Sequence, residues 1–572
     1  MNLETDRHGI VEVIRDVGGA PEPDEAGRPG AAAAGDFDVI VEGPDAVWRV
    51  PGFRDGAGRI RARLFAPAAG DYTYRFERRE MHDAADSAVG SPGTGGDQTM
   101  GDLSGSFSVE ESSPGAELRR RGRLRVAADR THLEWTNGEP FFWLGDTWWM
   151  GFSPRIDAEG FAGLCRDRVA KGFSVVQIVA GLFPDMPPLD RRGANAGGTA
   201  WEPDFAGVNP RYFDEADERI RTIVDHGLVP CIVGCWGYYL SLTSHGVMRA
   251  HWEHLIARYA AYPVVFCLAG ETRMPYYLSA TKDDDRDRQR EGWTTIARFV
   301  RETDPYGNPL TTHPDQRGRE QLVDPSVLDF EMLQTGHGDR SSLPFTVEAV
   351  RASRSDGEMP VIDSEVCYEG IGAACREDVQ RYLFWICMLN GACGHTYGAN
   401  GLWQANTAEQ PYGPSPHGME WGDTTWQDAM SLPGSAAVGR QKRFLESLSW
   451  WTLQPCPDLV APSASPENPM GPHAARTAGG DLMVVYLPSY PWQGLEIKGL
   501  APEATITLQV FDPVRGTVHD RPARTAGPDG VLRIPGPTPD DGGIAFFPIF
   551  QDWLLVARGP AQPHHNHQRS TS

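Results

Sequence analysis

The chain has no run of 18 apolar residues, and its opening stretch, Met1-Asn-Leu-Glu-Thr-Asp-Arg-His8, has no apolar segment of the kind a secretory leader needs. Both absences predict a cytoplasmic protein without a membrane span. Positive charge is scarce: 53 Lys and Arg stand against 77 Asp and Glu, a net charge of −24. Nucleic acids and anionic membrane surfaces are bound by basic faces, so neither is expected as a partner. Metal-ligand spacing is also missing. The nine cysteines contain no C-x-x-C pair, and Cys231, Cys267 and Cys387 lie inside apolar runs, where Cys behaves as a small hydrophobe. This usage reads as a reducing compartment. No G-x-G-x-x-G or G-x-x-x-x-G-K-[ST] follows a candidate strand, so no phosphate cradle is expected.

What is present is a chain long enough for several domains. Its 572 residues are 40% hydrophobic and 23% charged, in the ordinary globular range. Aromatics make up 10%, with 17 Trp, and a flat ring can cover the C–H face of a sugar as well as fill a core.

Three segments differ in rhythm. Residues 1–112 carry short alternating runs, including Ile10–Ile14, Phe37–Glu42, Ile60–Phe65, Tyr72–Phe76 and Ser104–Val109, punctuated by Gly, Pro and Asp. That pattern predicts an N-terminal, immunoglobulin-like β-sandwich, with Ala84 to Asp102 as a long mobile hairpin loop. From Leu124 the rhythm changes. Leu124–Val126 and His132–Trp135 suggest a short hairpin turning at Asn137-Gly138. Strand-like and helix-like stretches then alternate over residues 124–455. Eight candidate strands are Phe141–Leu144, Ser174–Val179, Val229–Val233, Val264–Leu268, Leu310–Thr312, Val327–Leu333, Val361–Ile362 and Gly394–Tyr397. Period-3.6 sets such as Tyr212, Ala216, Ile220, Ile223, Val224 separate most of them, while the link between the fifth and sixth shows only weak helical signal. This is the rhythm of a (β/α)8 TIM barrel. Residues 456–560 read as a C-terminal β-sandwich, and 561–572, with Pro563-His-His-Asn-His567, as a disordered polar tail.

In such a barrel the chemistry gathers where the strands end. Glu271 follows the fourth strand and Glu365 the seventh. A pair of carboxyls facing one another across a barrel mouth can cleave a glycosidic bond, one as acid/base and the other as nucleophile. Around them the strand ends supply Asp146, Trp148, Trp236, Tyr238, Arg273, His337, Tyr368, Glu369, His395 and Trp403 as candidate substrate-binding residues. Asp146 is expected to anchor substrate hydroxyls beside Trp148. The chemistry needs no metal and no cofactor.

Three motifs bring a resemblance. Phe142-Trp-Leu-Gly-Asp-Thr-Trp-Trp149, Leu268-Ala-Gly-Glu271 and Pro360-Val-Ile-Asp-Ser-Glu-Val-Cys-Tyr-Glu369 resemble the barrel of the apiosidase-like glycoside hydrolases, the DUF4038 or GH140 group. The first 110 residues, through Val50-Pro-Gly-Phe-Arg-Asp-Gly56, Gly70-Asp-Tyr-Thr-Tyr74 and Gly105-Ser-Phe107, resemble the DUF5060 β-sandwich that often precedes it. The resemblance implies a retaining barrel with Glu271 as acid/base and Glu365 as nucleophile. Here Ala269-Gly270-Glu271 stands where the family often has Gly-Gly-Asp, one methylene shorter. The expected activity is exo-acting hydrolysis of small oligosaccharides or glycosides, furanosides included. Two other readings are a non-catalytic carbohydrate-binding protein on a decayed barrel and an endo-glycanase with an open groove.

Overall fold

Eight short runs of buried β-branched and small residues form parallel strands. They are β1 (Trp143–Thr147), β2 (Val175–Val179), β3 (Val229–Val233), β4 (Val265–Cys267), β5 (Leu310–Thr311), β6 (Glu331–Gln334), β7 (Val361–Glu365) and β8 (Gly394–Tyr397). The structure is a computed structural model that describes residues 2–15, 37–79, 104–357, 359–489, 493–536, 546–547 and 550–560. The expected loop at Ala84 to Asp102 and the expected tail at 561–572 lie outside the described residues. The eight strands make one sheet in the order β5-β4-β3-β2-β1-β8-β7-β6, the TIM-barrel arrangement predicted from the sequence. By contact density the chain divides into two compact units, Met1–Phe141 with Gly145–Gln334 and Gly398–Met430, and Phe142–Leu144 with Thr335–Tyr397 and Ser431–Ser572.

In the first unit, helices α1 (Ala158–Lys171), α2 (Pro210–Asp225), α3 (His245–Tyr259) and α4 (Lys282–Thr303) follow β1 to β4. Their starts are chemically marked. Asp157 accepts from the Gly160 N–H, Asn209 from Arg211 and Ser244 from Val247, each filling an orphan donor of the first turn. Between β5 and β6 stand only 3-10 turns, Gly318–Gln321 and Pro325–Val327, in line with the weak helical signal. The sixth strand therefore starts later than Val327, because Asp324 accepts from the Ser326 N–H and Pro325 opens a turn.

The N-terminal residues form two four-stranded antiparallel sheets. One pairs Asn2–Thr5, Ile10–Arg15, Ile60–Phe65 and Phe53–Arg54, and the other Val47–Pro51, Phe37–Glu42, Gly70–Arg78 and Ser104–Val109. Their alternating inner residues, among them Val13, Val39, Ala62, Leu64 and Tyr72, make a core of their own. The predicted hairpin after Leu124 is a three-stranded meander. The Asn137-Gly138 turn, with Gly138 at φ +87°, joins Leu133–Trp135 to a third strand, Pro140–Phe141.

An ion cluster ties the N-terminal sheet to the helices of the first unit. Arg63 and Arg258 both hold the buried Asp217, Arg258 Nη1 at 2.9 Å from Oδ2, and Glu12 accepts from Arg63 Nε at 2.8 Å. Burial alone would raise the Asp217 carboxyl, but the two guanidiniums outweigh it and hold the group well below the usual carboxylate range.

In the second unit, helix α5 (Leu343–Asp356) precedes β7, α6 (Glu377–Asn390) joins β7 to β8 and α7 (Pro433–Glu446) follows β8. A six-stranded antiparallel sheet follows, from Leu453–Pro455 to Trp553–Arg558, with a three-stranded companion and a shared core. Arg381 of α6 holds Asp552 of this sheet through Nη2 at 2.9 Å, and Phe444 stacks on Phe511 with centroids 4.1 Å apart. The cysteine reading is corrected at one place. Cys367 and Cys375 form a disulfide, because the loop after β7 folds back and brings their Cα atoms to 6.2 Å. The other seven cysteines are buried and outside any disulfide. Among the described residues, no helix is long and apolar enough to cross a membrane.

Removing the Asp217 charge takes from two buried guanidiniums the carboxylate they share and leaves Arg63 with Glu12 and Arg258 with Asp214. Asp217→Asn should cost about 3–5 kcal/mol in denaturant unfolding at pH 7. The folded pKa is depressed, so the contribution is complete above the unfolded carboxylate pKa, about 3.9, and disappears as pH falls towards the folded value. The difference in stability between wild type and variant should therefore shrink in acid. Equal stability at pH 7 would contradict this account.

Candidate active site

Side chains along a strand alternate between the barrel interior and the helix layer. In β1 this parity sorts the candidates. Trp143 points inwards, and its Nε1 donates to Thr396 Oγ1 at 3.0 Å. Asp146 points outwards. It is fully buried, and its Oδ2 accepts from Arg168 Nε at 2.6 Å and from Trp148 Nε1 at 2.7 Å. Trp148 itself packs edge-on against Phe161 of α1. The expected substrate anchor is thus an ion pair between strand and helix, a correction that follows from parity. Trp149, one residue further, lies with the interior aromatics: its ring meets Trp236 at 5.7 Å and His313 at 5.4 Å, both edge-on.

Glu271 sits beside these rings. Residues Trp236 and Gly270 extend the parallel ladder by an isolated bridge, and the Gly237 N–H donates to the Gly270 carbonyl at 2.7 Å. A Cβ on Gly270 would stand 2.3 Å from the Trp236 ring, so only glycine lets the two chains lie this close. Glu271 follows at φ +41°, a left-handed conformation uncommon for a non-glycine residue. Its Oε2 accepts from Trp236 Nε1 at 3.1 Å and its Oε1 from Gln334 Nε2 at 3.2 Å. Burial raises the pKa of the nearby Tyr277 hydroxyl, and the charges of Asp185 and Glu271 raise it further.

Glu365 ends β7 in a different setting. Tyr368 donates its hydroxyl to Oε2 at 2.6 Å, and His337 Nε2 lies 2.9 Å from Oε1. The Tyr368 N–H donates to His337 Nδ1 at 3.3 Å. With Nδ1 accepting, Nε2 carries the proton and donates to Glu365. The loop that brings Tyr368 back is closed by the Cys367–Cys375 disulfide, and Gln380 Nε2 donates to both cysteine carbonyls, at 2.7 and 3.3 Å.

Other predicted residues are engaged elsewhere. Glu369 is buried and accepts from the Tyr397 hydroxyl at 2.6 Å and the Gly434 N–H at 2.9 Å. Tyr238 is fully buried, with its hydroxyl on the Phe183 carbonyl at 3.0 Å. Arg273 Nε pairs with Asp315 at 3.0 Å. His395 faces the helix layer, edge-on to Phe384 of α6, and burial pushes its pKa down to about 3. These placements correct the expectation of substrate contact for Glu369, Tyr238 and His395, because each faces protein. Trp403 stands in the loop after β8 with Tyr412 at 5.3 Å. That loop is locked to two others: Tyr412 donates to the Pro184 carbonyl at 2.7 Å, and His417 stacks on Tyr277 at 4.8 Å. Trp149 and Gln334 were passed over as site residues. The signal for Trp149 was its parity with Trp143, and that for Gln334 was its place as the last residue of β6.

Fold and strand-end carboxylates together define a glycoside hydrolase-like barrel. The chain belongs to the apiosidase-like family: the model of its catalytic domain matches residues 127–452, and the chain is accordingly a glycosidase. A search of curated proteins returns no match. Among solved structures, a putative glycoside hydrolase from Bacteroides vulgatus aligns with a TM-score of 0.62 at 15% identity, over 96% of this chain and 98% of that one. A family 5 glycoside hydrolase from Bacteroides vulgatus aligns at 0.60 and 20% identity, over 79% and 96%. Another glycoside hydrolase aligns at 0.60 and 20%, over 77% and 97%. At these identities the likeness is one of fold.

Gly270→Ala tests the packing at Glu271. It should destabilise the protein by about 1–3 kcal/mol and alter near-ultraviolet tryptophan dichroism. An unchanged spectrum and midpoint would show that the Trp236 ring yields without cost.

Proposed function

We propose that the chain is an exo-acting, retaining glycosidase on small oligosaccharides or glycosides, furanosides included, with Glu271 as acid/base and Glu365 as nucleophile. The observation that carries the reading is the contrast between the two carboxylates. Glu365 accepts hydrogen bonds from His337 and Tyr368, donors that favour an ionised, correctly aimed nucleophile. Glu271 accepts from an indole and an amide, both neutral donors, beside an aromatic wall. A carboxyl in such surroundings is suited to hold a proton for a leaving group and to take one from water afterwards. Family membership supports the same division of labour, with Glu271 following β4 and Glu365 ending β7.

Glycosylation would then proceed by attack of the Glu365 carboxylate on the anomeric carbon. The bond to the leaving oxygen breaks as Glu271 transfers its proton there. Water deprotonated by Glu271 hydrolyses the glycosyl–Glu365 ester, with net retention. Retention requires carboxyls about 5–5.5 Å apart, against about 6.5–9.5 Å for inversion. In this reading Trp149 and Trp236, edge-on to one another at 5.7 Å, supply the aromatic wall for a sugar ring. The interlocked loops carrying Pro184, Tyr277 and Tyr412 favour a closed pocket and exo action over an open groove.

Aryl glycosides of both anomers, pyranosides and furanosides, should reveal one hydrolysed sugar. Glu365→Gln should abolish turnover. Glu271→Gln should lose most activity on substrates with poor leaving groups and retain more on activated ones. Tyr368→Phe should lower kcat about 100-fold. Product stereochemistry read by proton NMR should show retention. Full activity in both Gln variants would overturn the assignment, and an inverted product would exclude Glu365 as nucleophile.

A further inference from the structure

Two residues before Glu365 in β7, against α6, lies a buried carboxyl that the reaction does not use. Asp363 is fully buried. Its Oδ2 accepts from Thr335 Oγ1 at 2.9 Å and from the Cys387 thiol of α6 at 3.3 Å. Thr335 faces two ways. Its hydroxyl holds Asp363, and its N–H donates to the Glu365 carbonyl at 2.9 Å. Two residues further along the same segment, His337 reaches the Glu365 carboxylate. One side-chain contact therefore fixes the segment that supplies both a backbone anchor and a side-chain donor to Glu365.

We infer that Asp363 is a positioning residue: through Thr335 it clamps residues 335–337 to the end of β7, so that His337 meets Glu365 in register. The inference rests on the reading of Glu365 as nucleophile.

The surroundings suit a neutral acid in this place. The titratable groups facing Asp363 are Glu365 on its own strand, Cys387 on α6 and His395 on β8, its register partner. His395 is held neutral by burial, so no cation compensates a charge on Asp363. Burial pushes the Asp363 carboxyl up to about 7; the Thr335 and Cys387 hydrogen bonds oppose the rise and the Glu365 charge adds to it. Asp363 Oδ1 and both His395 ring nitrogens have no hydrogen-bond partner among the described residues, and the two side chains share one face of the sheet. Thr335 and Cys387 can donate to Oδ2 whether or not the acid carries its proton, so the clamp holds in both states.

The test compares Asp363→Asn, Asp363→Ala, Thr335→Ser and Thr335→Val with Glu365→Gln on the hydrolysed aryl glycoside. Asp363→Ala and Thr335→Val should each lower kcat about 10- to 100-fold with KM little changed, the cost of a misplaced reacting group. The double variant Asp363→Ala/Thr335→Val should be no worse than either single one, since both break one contact. Asp363→Asn and Thr335→Ser keep acceptor and donor and should stay within about threefold of wild type. If Asp363→Ala fails to fold, the Thr335 pair decides alone. Equal kcat in Thr335→Val and wild type, or a loss in Asp363→Asn as large as in Asp363→Ala, would overturn the inference. Activity surviving in Glu365→Gln would instead overturn the underlying reading of the site.

Discussion

Two hydrogen bonds to one carboxylate, from the His337 imidazole and the Tyr368 hydroxyl to Glu365, are the interaction around which this region is built. Neither donor is near Glu365 by local necessity. His337 comes from the segment after β6, and its tautomer is fixed by the Tyr368 N–H. Tyr368 is turned back by a loop that the Cys367–Cys375 disulfide closes and Gln380 braces. Much of the surrounding polar architecture serves to keep these two donors in place, and preorganised donors act at full strength because no dipole must reorient during reaction.

Glu271 depends on a different constraint, close approach. The bridge between Trp236 and Gly270 admits no side chain at position 270, and it aims the Trp236 indole at the following residue. The carboxyl is thereby set among neutral donors and aromatic edges. A family that commonly carries Asp at this position would reach less far. The Glu seen here has an extra methylene and a left-handed backbone, at φ +41°.

The barrel was legible because parallel strands buried on both faces read as apolar runs, and amphipathic helices separate them. The strand-end carboxylates were legible for the same reason: each follows a run that stops. What could not be read was which way a strand-end residue points. Asp146, Glu369 and His395 lie on the helix side, where an ion pair, a tyrosine hydroxyl and a phenylalanine ring meet them. Parity counted from Trp143 would have placed Asp146 and Trp148 outside and Trp149 inside. The disulfide was hidden because the seven loop residues between the two cysteines do not state whether the ends meet. The sixth strand was started too early because Val327 and Leu328 are apolar, although Pro325 turns the chain beneath them.

The central claim is that Glu365 attacks the sugar and carries it covalently. A 2-deoxy-2-fluoro glycoside of the hydrolysed sugar, with an activated leaving group, slows the second step and lets such an ester accumulate. Peptide mass spectrometry after inactivation should find one sugar equivalent on the peptide that contains Glu365, and none in Glu365→Gln. Labelling of another carboxylate, or hydrolysis without any adduct, would contradict the account.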